Sequence, residues 1–392
     1  VMSLFELFSL LGGVGLFLYG MTIMSTGLKN ACGENLRVIL EHATKNKVIS
    51  VVVGIAITML IQSSSATDVM VIGFVNSGLM SLTQAIGVIM GANIGTTITA
   101  QITAFNLSAY APMILFVGAV LYLFMKKDMV KYVGSIIMGF GMLFEGIALM
   151  KTAIAPLAET EAFIHMISAL ENPFLTVLFG ILFTALLQSS SSATVIFQAF
   201  AVQGIISYET SVYLVIGAAI GSVTPNILAS LTMSRNGKRT ALLNLLFNLI
   251  RAGILMILLF IFPQILTIIK SLSPGNVARQ IANTHTIFAI FAVLVMLPFS
   301  DKIVKLTQTL LPLKPEESRT GEERKLLYMT QTGTIPSAVA VSQAHREITR
   351  MGEIASRNLK TAVKCFFEQD DSLAEVVEET EDTVNYLDRS II

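Results

Sequence analysis

Two polar stretches interrupt apolar sequence in this chain, and each begins with a glutamine that is followed by serines. They read Gln62-Ser63-Ser64-Ser65 and Gln188-Ser189-Ser190-Ser191. A serine hydroxyl offers one donor and two acceptors, and a glutamine amide offers two donors and a carbonyl oxygen. Neutral groups of this kind suit both a small hard cation and a small anion. We therefore take both stretches as candidate binding sites and ask which elements position them.

Composition indicates a membrane domain followed by a small polar tail. Of the 392 residues, 54% are hydrophobic and only 13% are charged, which is too apolar for a soluble domain of this length. Charged residues number 27 in positions 1–312 and 25 in positions 313–392. No basic patch is interleaved with aromatic residues, so we expect a lipid bilayer and no nucleic acid as a partner.

Apolar runs predict several membrane crossings, each of which needs about 20 residues. Full spans are expected at 4–28, 108–125, 132–151, 240–262 and 282–299. The segments 79–104 and 205–231 contain glycine and polar residues, so we expect broken transmembrane helices there. The segments 47–76 and 173–203 are apolar at both ends and polar at the centre. Each of their arms is too short to cross alone.

The chain repeats itself at an offset of 126 residues without a gap. The two glutamine-serine stretches coincide under this offset. Other matched pairs include Gly13/Gly139, Gly15/Gly141, Gly20/Gly146, Asn46/Asn172, Gly54/Gly180, Thr58/Thr184, Gly78/Gly204, Gly91/Gly217, Ala92/Ala218, Ile94/Ile220 and Gly95/Gly221. We predict one transmembrane repeat in 1–130, and a second repeat with a final transmembrane helix in 131–312. The repeated glycines early in each copy are expected to permit close helix contact.

Loop charge favours an inverted arrangement of the two repeats. If 47–76 is a re-entrant hairpin, one repeat crosses three times and the second starts from the opposite side. Cytoplasmic loops carry more Lys and Arg than outer loops. The hairpin arrangement places ten of these loop residues on one side of the membrane and three on the other. We expect a cell (inner) membrane protein with its N-terminus outside and the tail from 313 in the cytoplasm. The two hairpin tips would then meet near the midplane.

The tips have the chemistry of an ion site. Non-helical backbone at membrane depth is buried in protein or lines a watery cavity, and inverted-repeat transporters bind substrate at such segments. An arm that ends at the tip presents carbonyl oxygens, and an arm that begins there presents N–H groups. The two broken helices add further groups, namely Asn93, Thr96 and Thr97 in the first and Ser222, Thr224 and Asn226 in the second.

Residues 1–312 resemble the type II sodium–phosphate cotransporters and their bacterial relatives. The resemblance rests on the doubled QSSS motif in inverted repeats, each followed by a glycine-containing segment such as "GANIGTT" from Gly91. It implies sodium-driven symport of inorganic phosphate, with both motifs at the phosphate and sodium sites. This chain departs from the pattern at Ala219 and Val223, which stand where the first copy has Asn93 and Thr97.

The resemblance and the polar groups of the broken helices together give a predicted ligand set. The phosphate ligands are Gln62, Ser64, Ser65, Gln188, Ser190, Ser191, Asn93 and Thr96. The sodium ligands are Ser63, Ser64, Gln62, Ser189, Ser190, Gln188, Thr97, Ser222 and Asp68. Asp68 is included because a carboxylate inside a membrane is costly and is a functional candidate by default. For Arg251, we favour structural pairing with a carboxylate such as Glu145 over balancing of phosphate charge.

The tail resembles the start of a PhoU-like helical bundle. Helical periodicity runs from 346 to 368, and a second apolar pattern follows from Leu373 to Leu387. Two helices cannot bury both of their faces well, so we expect either a truncated domain or a partner, which would be a second copy or a cytoplasmic protein.

Several other functions remain as alternatives. No GxSxG, HExxH or P-loop motif is present, so neither a hydrolase nor an ATP-driven pump is supported and we expect no enzyme. A channel would place the interrupted segments along a continuous pore. A sodium-coupled transporter of another small anion, or a phosphate-responsive sensor that signals through the tail, also fits the sequence.

Overall fold

The structure is a computed structural model, and it describes residues 4–32, 46–76, 80–105, 107–154, 172–231, 233–312, 326–329, 337–368 and 372–391. All regular secondary structure in these ranges is helical, so the predicted all-α class is confirmed. Gly78 and the start of the tail at 313–325 lie outside the described residues.

The two repeats contain matching series of helices. The first has α1 (Leu4–Cys32), α2 (Lys47–Ile61), α3 (Ser64–Asn76), α4 (Leu82–Gly95), α5 (Thr97–Thr103) and α6 (Ala111–Phe124). The second has α7 (Asp128–Ile154), α8 (Pro173–Leu187), α9 (Ser190–Val202), α10 (Tyr208–Gly221), α11 (Thr224–Ser230) and α12 (Arg235–Ile261). They are followed by α13 (Gln264–Ser271), α14 (Val277–Met296), α15 (Ser300–Leu310), α16 (Ser337–Glu368) and α17 (Ser372–Ile391).

Six helical stretches of the described chain are long and apolar enough to cross a membrane, at 5–31, 82–103, 128–153, 208–230, 235–261 and 277–310. The span predicted at 108–125 is shorter than expected. A 3-10 turn at Ser108–Tyr110 precedes α6, which has 14 residues and is therefore about 21 Å long. Pro112 lies in its first turn, and charged residues follow its end from Lys126.

Equivalent side chains start the equivalent helices. The side chain of Asn46 accepts the Ile49 amide at the start of α2, and that of Asn172 accepts the Phe174 amide at the start of α8. Ser81 and Ser207 cap α4 and α10 in the same way. Such caps satisfy amides that have no partner within the helix. In both repeats, these helix starts are therefore set by a capping side chain that is close in sequence.

The interruptions between α4 and α5 and between α10 and α11 are milder than predicted. Thr96 keeps helical dihedrals of φ −58° and ψ −31°, and its amide still donates to Ala92. Ser222 is also right-handed, with φ −68° and ψ −10°. The predicted breaks are thus tightened turns that retain hydrogen bonds, and the glycines that precede them have another role.

Those glycines allow α4 to pack against α2, and α10 against α8, with the backbones in contact. A Cβ on Gly95 would lie 2.8 Å from the Ile55 carbonyl, and one on Gly91 would strike the Val51 carbonyl. Gly221 and Gly217 meet Ile181 and Val177 in the same way, again at the offset of 126. Because later residues of one helix meet later residues of the other, α2 runs parallel to α4 and α8 runs parallel to α10.

The first helices of the two repeats, α1 and α7, pack closely in opposite directions. A Cβ on Gly20 would lie 2.7 Å from the Gly139 carbonyl, and one on Gly13 would lie 3.0 Å from the Gly146 carbonyl. Early residues of one helix therefore meet late residues of the other. The prediction of close contact is confirmed for these glycines but wrong for Gly15, where a Cβ would meet nothing within 4 Å.

The tail helices α16 and α17 pack against each other. Asn358 donates to the Val377 carbonyl at 3.0 Å, and Ile354 and Leu387 are buried between the helices. Leu359 and Phe366 remain 67% and 78% exposed. The second predicted tail helix is thus confirmed, and the pair leaves much apolar surface uncovered, as expected for two helices alone.

Candidate functional site

Each glutamine-serine stretch forms a sharp turn between two helices. Gln62, between α2 and α3, has φ 57° and ψ 24°, and Gln188, between α8 and α9, has φ 56° and ψ 20°. They are the only residues other than glycine with positive φ in the described chain. The left-handed conformation costs a residue with a Cβ about 1–2 kcal/mol, and glycine is the usual residue there. Both repeats thus place a glutamine where glycine is the usual residue.

The first turn is held by its own side chains. The Gln62 amide nitrogen donates to the Met59 carbonyl at 2.5 Å, and its oxygen accepts the Thr99 hydroxyl at 3.0 Å. Ser63 caps α3 by accepting the Ala66 amide at 3.2 Å. These contacts hold the glutamine against α5, which follows the interruption at the end of α4.

At the start of α3, Ser65 contacts the second repeat. Ser65 donates to the Ser222 carbonyl at 3.4 Å, and Ser222 ends α10 at the second interruption. Ser64 is half-buried at the first position of α3. The first turn of one repeat and the interrupted helix of the other are therefore neighbours.

The second turn is more open at its glutamine and more enclosed at its serines. Gln188 is exposed, whereas Ser190 and Ser191 are only 8% and 5% exposed. The Ser189 and Ser192 hydroxyls lie 2.9 Å apart, and Ser189 accepts the Ser192 amide at 3.3 Å. This turn places buried serine hydroxyls and the first amides of α9 at one point.

Two differences between the repeats account for the asymmetry. Pro225 occupies the position equivalent to Thr99, so Gln188 lacks the hydroxyl that holds Gln62. Ala193 occupies the position equivalent to Thr67, whose hydroxyl accepts that of Thr58 at 3.0 Å. The Thr184 hydroxyl, equivalent to that of Thr58, is accordingly buried without a hydrogen-bond partner. The second turn thus keeps unused hydrogen-bonding capacity.

The predicted ligands on the interrupted helices mostly bond to their own backbone. The Thr96 and Thr97 hydroxyls donate to carbonyls one turn earlier at 2.9 and 2.8 Å, and Ser222 does the same at 2.9 Å. Thr97 also accepts the hydroxyl of Thr286 on α14 at 3.1 Å. No hydrogen bond joins Gln188, Ser189, Ser190 or Ser191 to Asn93, Thr96 or Thr97, all of which are described residues.

A chain of buried amides surrounds Asp68. The side-chain amides of Asn226 on α11 and Asn244 on α12 both donate to its Oδ2, at 3.0 and 2.8 Å. Asn248 in turn donates to the Asn244 side-chain oxygen at 2.8 Å. Asp68 is only 4% exposed. Neither Asn244 nor Asn248 belongs to the ligand set predicted from the sequence, although their spacing of four residues puts both on one face of α12.

Arg251 lies on the same face of α12, one turn beyond Asn248, and it is 3% exposed. Its guanidinium donates to the Asn93 side-chain oxygen at 2.8 Å. The predicted pairing with Glu145 is wrong, because this face of α12 turns Arg251 toward α4 and not toward α7. Arg251 and His285 line the same small cavity between α10, α12 and α14.

Two family models match the chain. The model described as Na+/Pi-cotransporter matches twice, at residues 16–152 and 146–296, and the model described as PhoU domain matches residues 348–392. The double match corresponds to the duplication that is visible at the offset of 126. No solved structure matches the chain.

Curated proteins similar to the chain include phosphate transport proteins. "Putative inorganic phosphate export protein YjbB" of Escherichia coli K12 is 30% identical over 348 residues, which are 88% of this chain and 63% of that protein. "Uncharacterized protein YqeW" of Bacillus subtilis is 28% identical over 303 residues, 76% of this chain and 96% of that protein. "Sodium-dependent phosphate transport protein 2A" of Rattus norvegicus is 37% identical over 97 residues, 24% of this chain and 15% of that protein. The chain thus spans less than two thirds of the length of the YjbB protein.

Proposed function

The chain belongs to the Na+/Pi-cotransporter family, and we propose that it carries inorganic phosphate across a membrane together with sodium ions. The observation that carries this proposal is the pair of left-handed glutamine turns, each followed by serines at a helix start. Strained backbone of this kind persists where function requires it. A turn between two helix ends offers oxygen ligands and N–H donors side by side, which suits a cation and an oxyanion bound together.

We infer that each turn is the tip of a re-entrant hairpin and that the repeats are inverted. Since α2 and α4 run parallel, α3 between them must return the chain to the level at which α2 began. The same argument applies to α8, α9 and α10. The equivalent helices α1 and α7 run antiparallel, which supports opposite insertion of the two repeats. The predicted excess of basic loop residues on one side then favours an outer N-terminus and a cytoplasmic tail in the cell membrane.

In this arrangement phosphate would bind between the two tips. The first amides of α9 and the buried Ser190 and Ser191 hydroxyls would donate to its oxygens, and the unpartnered Thr184 hydroxyl lies one turn before the tip. Gln62, Ser64, Ser65 and Gln188 would complete the set from both turns. Arg251 contributes a positive charge at Asn93, so the site need not rely on sodium alone to balance an oxyanion.

Sodium would bind at the carbonyl and hydroxyl oxygens of the helix ends that precede each tip and at Ser222. Binding of the cation stabilises the anion next to it by Coulomb attraction in a site of low dielectric constant. Each ion therefore increases the affinity for the other, which is the physical basis of coupling. Rearrangement of the hairpin bundle would expose the loaded site to either side in turn.

The direction of net transport is a separate part of the proposal. The E. coli relative is named as an export protein, whereas a sodium-driven symporter under an inward sodium gradient accumulates phosphate. A secondary transporter is reversible, so we propose that the gradients of both ions set the direction.

The test is radiolabelled phosphate movement in proteoliposomes that hold the purified full chain. An imposed inward sodium gradient is compared with a matched potassium gradient, and efflux from preloaded vesicles is measured in parallel. Sodium-dependent movement that is lost in Gln188→Ala supports the proposal. Equal movement in sodium and potassium refutes the coupling, and wild-type movement in Gln188→Ala refutes the site.

A further inference from the structure

Asp68 has an unusual environment for a carboxylate within a membrane domain. Its Oδ2 accepts two amide hydrogen bonds, from Asn226 and Asn244, but its Oδ1 is buried and has no hydrogen-bond partner. No ion pair to Asp68 occurs among the residues that the structure describes. Arg251 is a buried cation on the face of α12 that carries Asn244, but it donates to Asn93 and not to Asp68. Within the described residues, no side chain therefore balances the negative charge of Asp68.

The amides next to Asp68 also leave oxygens without partners. Asn226 Oδ1 and Asn248 Oδ1 are buried and accept no hydrogen bond, and these residues are 0% and 2% exposed. Asn226 uses its nitrogen on Asp68, so its free oxygen lies beside that carboxylate. Buried acceptors without donors are strongly disfavoured. Asn248 is linked to the carboxylate through Asn244, so these unpartnered oxygens belong to one polar network, which a hard cation would satisfy.

The geometry points to a sodium site formed by Asp68, Asn226 and Asn248, where α3, α11 and α12 meet. Ser222 lies one turn before Asn226, and its carbonyl accepts the Ser65 hydroxyl of the first turn at 3.4 Å. This inference rests on the proposed function, and it specifies where one coupled cation binds. The site lies one helical turn beyond the first glutamine turn.

The site has no counterpart in the other half of the protein. At the offset of 126 residues, Asp68 corresponds to Thr194, Asn226 to Ala100 and Asn248 to Tyr122. Thr194 donates its hydroxyl to the Ser190 carbonyl of its own helix at 2.8 Å. The duplicated fold therefore contains one carboxylate-based cation site and not two.

The test measures sodium binding without transport. The melting temperature of the purified full chain is followed as NaCl replaces choline chloride at constant ionic strength and pH. The wild-type protein is expected to melt several degrees higher in saturating sodium, since a ligand that binds only the folded state stabilises it. In Asp68→Asn the new amide can donate to the unpartnered oxygens, so this variant should match or exceed the sodium-free wild type and lose the part of the sodium increment that this site supplies.

A second variant and a control keep the test decisive if Asp68→Asn does not fold. Asn226→Ala removes one oxygen ligand, and the sodium concentration for half-maximal stabilisation should rise about tenfold or more. Gln198→Leu is the control, because Gln198 is buried and bonds to Thr103 and the Ala278 carbonyl on other helices. It should lower the melting temperature but keep the sodium increment.

Two outcomes overturn the inference. One is a wild-type melting temperature that responds to pH but not to sodium, because the carboxyl would then be neutralised by a proton. The other is a full sodium increment in both Asp68→Asn and Asn226→Ala. Sodium stabilisation that depends on Asp68, in a protein that moves no phosphate, would support the cation site and refute the transport proposal. Sodium-coupled transport, with an unchanged sodium increment of the melting temperature in both variants, would support the transport proposal and refute the cation site.

Discussion

Replacing Gln188 by glycine separates the strain of the second turn from its function. Glycine adopts φ 56° without the penalty of about 1–2 kcal/mol that a Cβ incurs there. The greater freedom of glycine in the unfolded chain offsets about 0.5–1 kcal/mol of that gain. Gln188 is exposed, and its side chain makes no hydrogen bond in the described structure. Gln188→Gly should therefore stabilise the protein by about 1 kcal/mol.

The equivalent change in the first turn should behave differently. Gln62→Gly gains the same relief, but it loses the hydrogen bonds to Thr99 and to the Met59 carbonyl. Each hydrogen bond contributes about 0.5–1.5 kcal/mol. The net change should be a destabilisation of about 1 kcal/mol. The two variants are expected to differ by about 2 kcal/mol, although they alter equivalent residues with nearly equal dihedral angles.

Stability is measured by urea or thermal unfolding of the purified protein in detergent, and transport by phosphate uptake in proteoliposomes. We expect Gln188→Gly to be folded, more stable than wild type and inactive. Gln188→Ala serves as the matched control, because it removes the same side chain but keeps the left-handed strain. A Gln188→Gly protein less stable than Gln188→Ala would contradict the strain argument. Wild-type uptake in either variant would contradict the role of the side chain.

Two further predictions concern the scaffold and the tail. Gly20→Ala should destabilise the protein by about 1–3 kcal/mol, because the added Cβ would lie 2.7 Å from the Gly139 carbonyl. Gly15→Ala, on the open face of α1, should instead stabilise the helix by about 1 kcal/mol. Equal melting temperatures for both variants would rule out the tight α1–α7 contact. Deletion of 316–392 should leave phosphate uptake largely intact, because both turns and their partners lie before residue 312; complete loss of uptake in a well-folded truncation would show that the tail is required.

The glutamine turns could be predicted because their signal is local. A run of neutral polar residues between two short apolar arms fixes the place where the helix must end. The repeat at 126 residues marked that place twice. The roles of the later glycines could not be read in this way. Gly91 and Gly95 were expected to break a helix, but they lie within it and let its backbone touch α2. Glycine is typical both of helix breaks and of close contacts between helices, and only the position of the neighbouring helix distinguishes the two.

The partners of the buried charges were also beyond the sequence. Asp68 bonds to side chains 158 and 176 positions later in the chain, and Arg251 contacts Asn93 and not the expected Glu145. The polar face of α12 was nevertheless present as a pattern, since Asn244, Asn248 and Arg251 recur at intervals of four and three residues. A search for polar residues at helical spacing within apolar spans would have found it.

The sequence by itself determined the all-helical class, the duplication, the position of both turns and the family resemblance. Each of these depends on composition, local spacing or self-similarity, which are properties of the chain order. Tertiary structure alone decided which face of α12 meets Asp68, why Gln62 is held while Gln188 is exposed, and where oxygens remain unpartnered. Those outcomes depend on how helices distant in sequence rotate and pack, and a few ångströms of packing decide whether two polar groups bond.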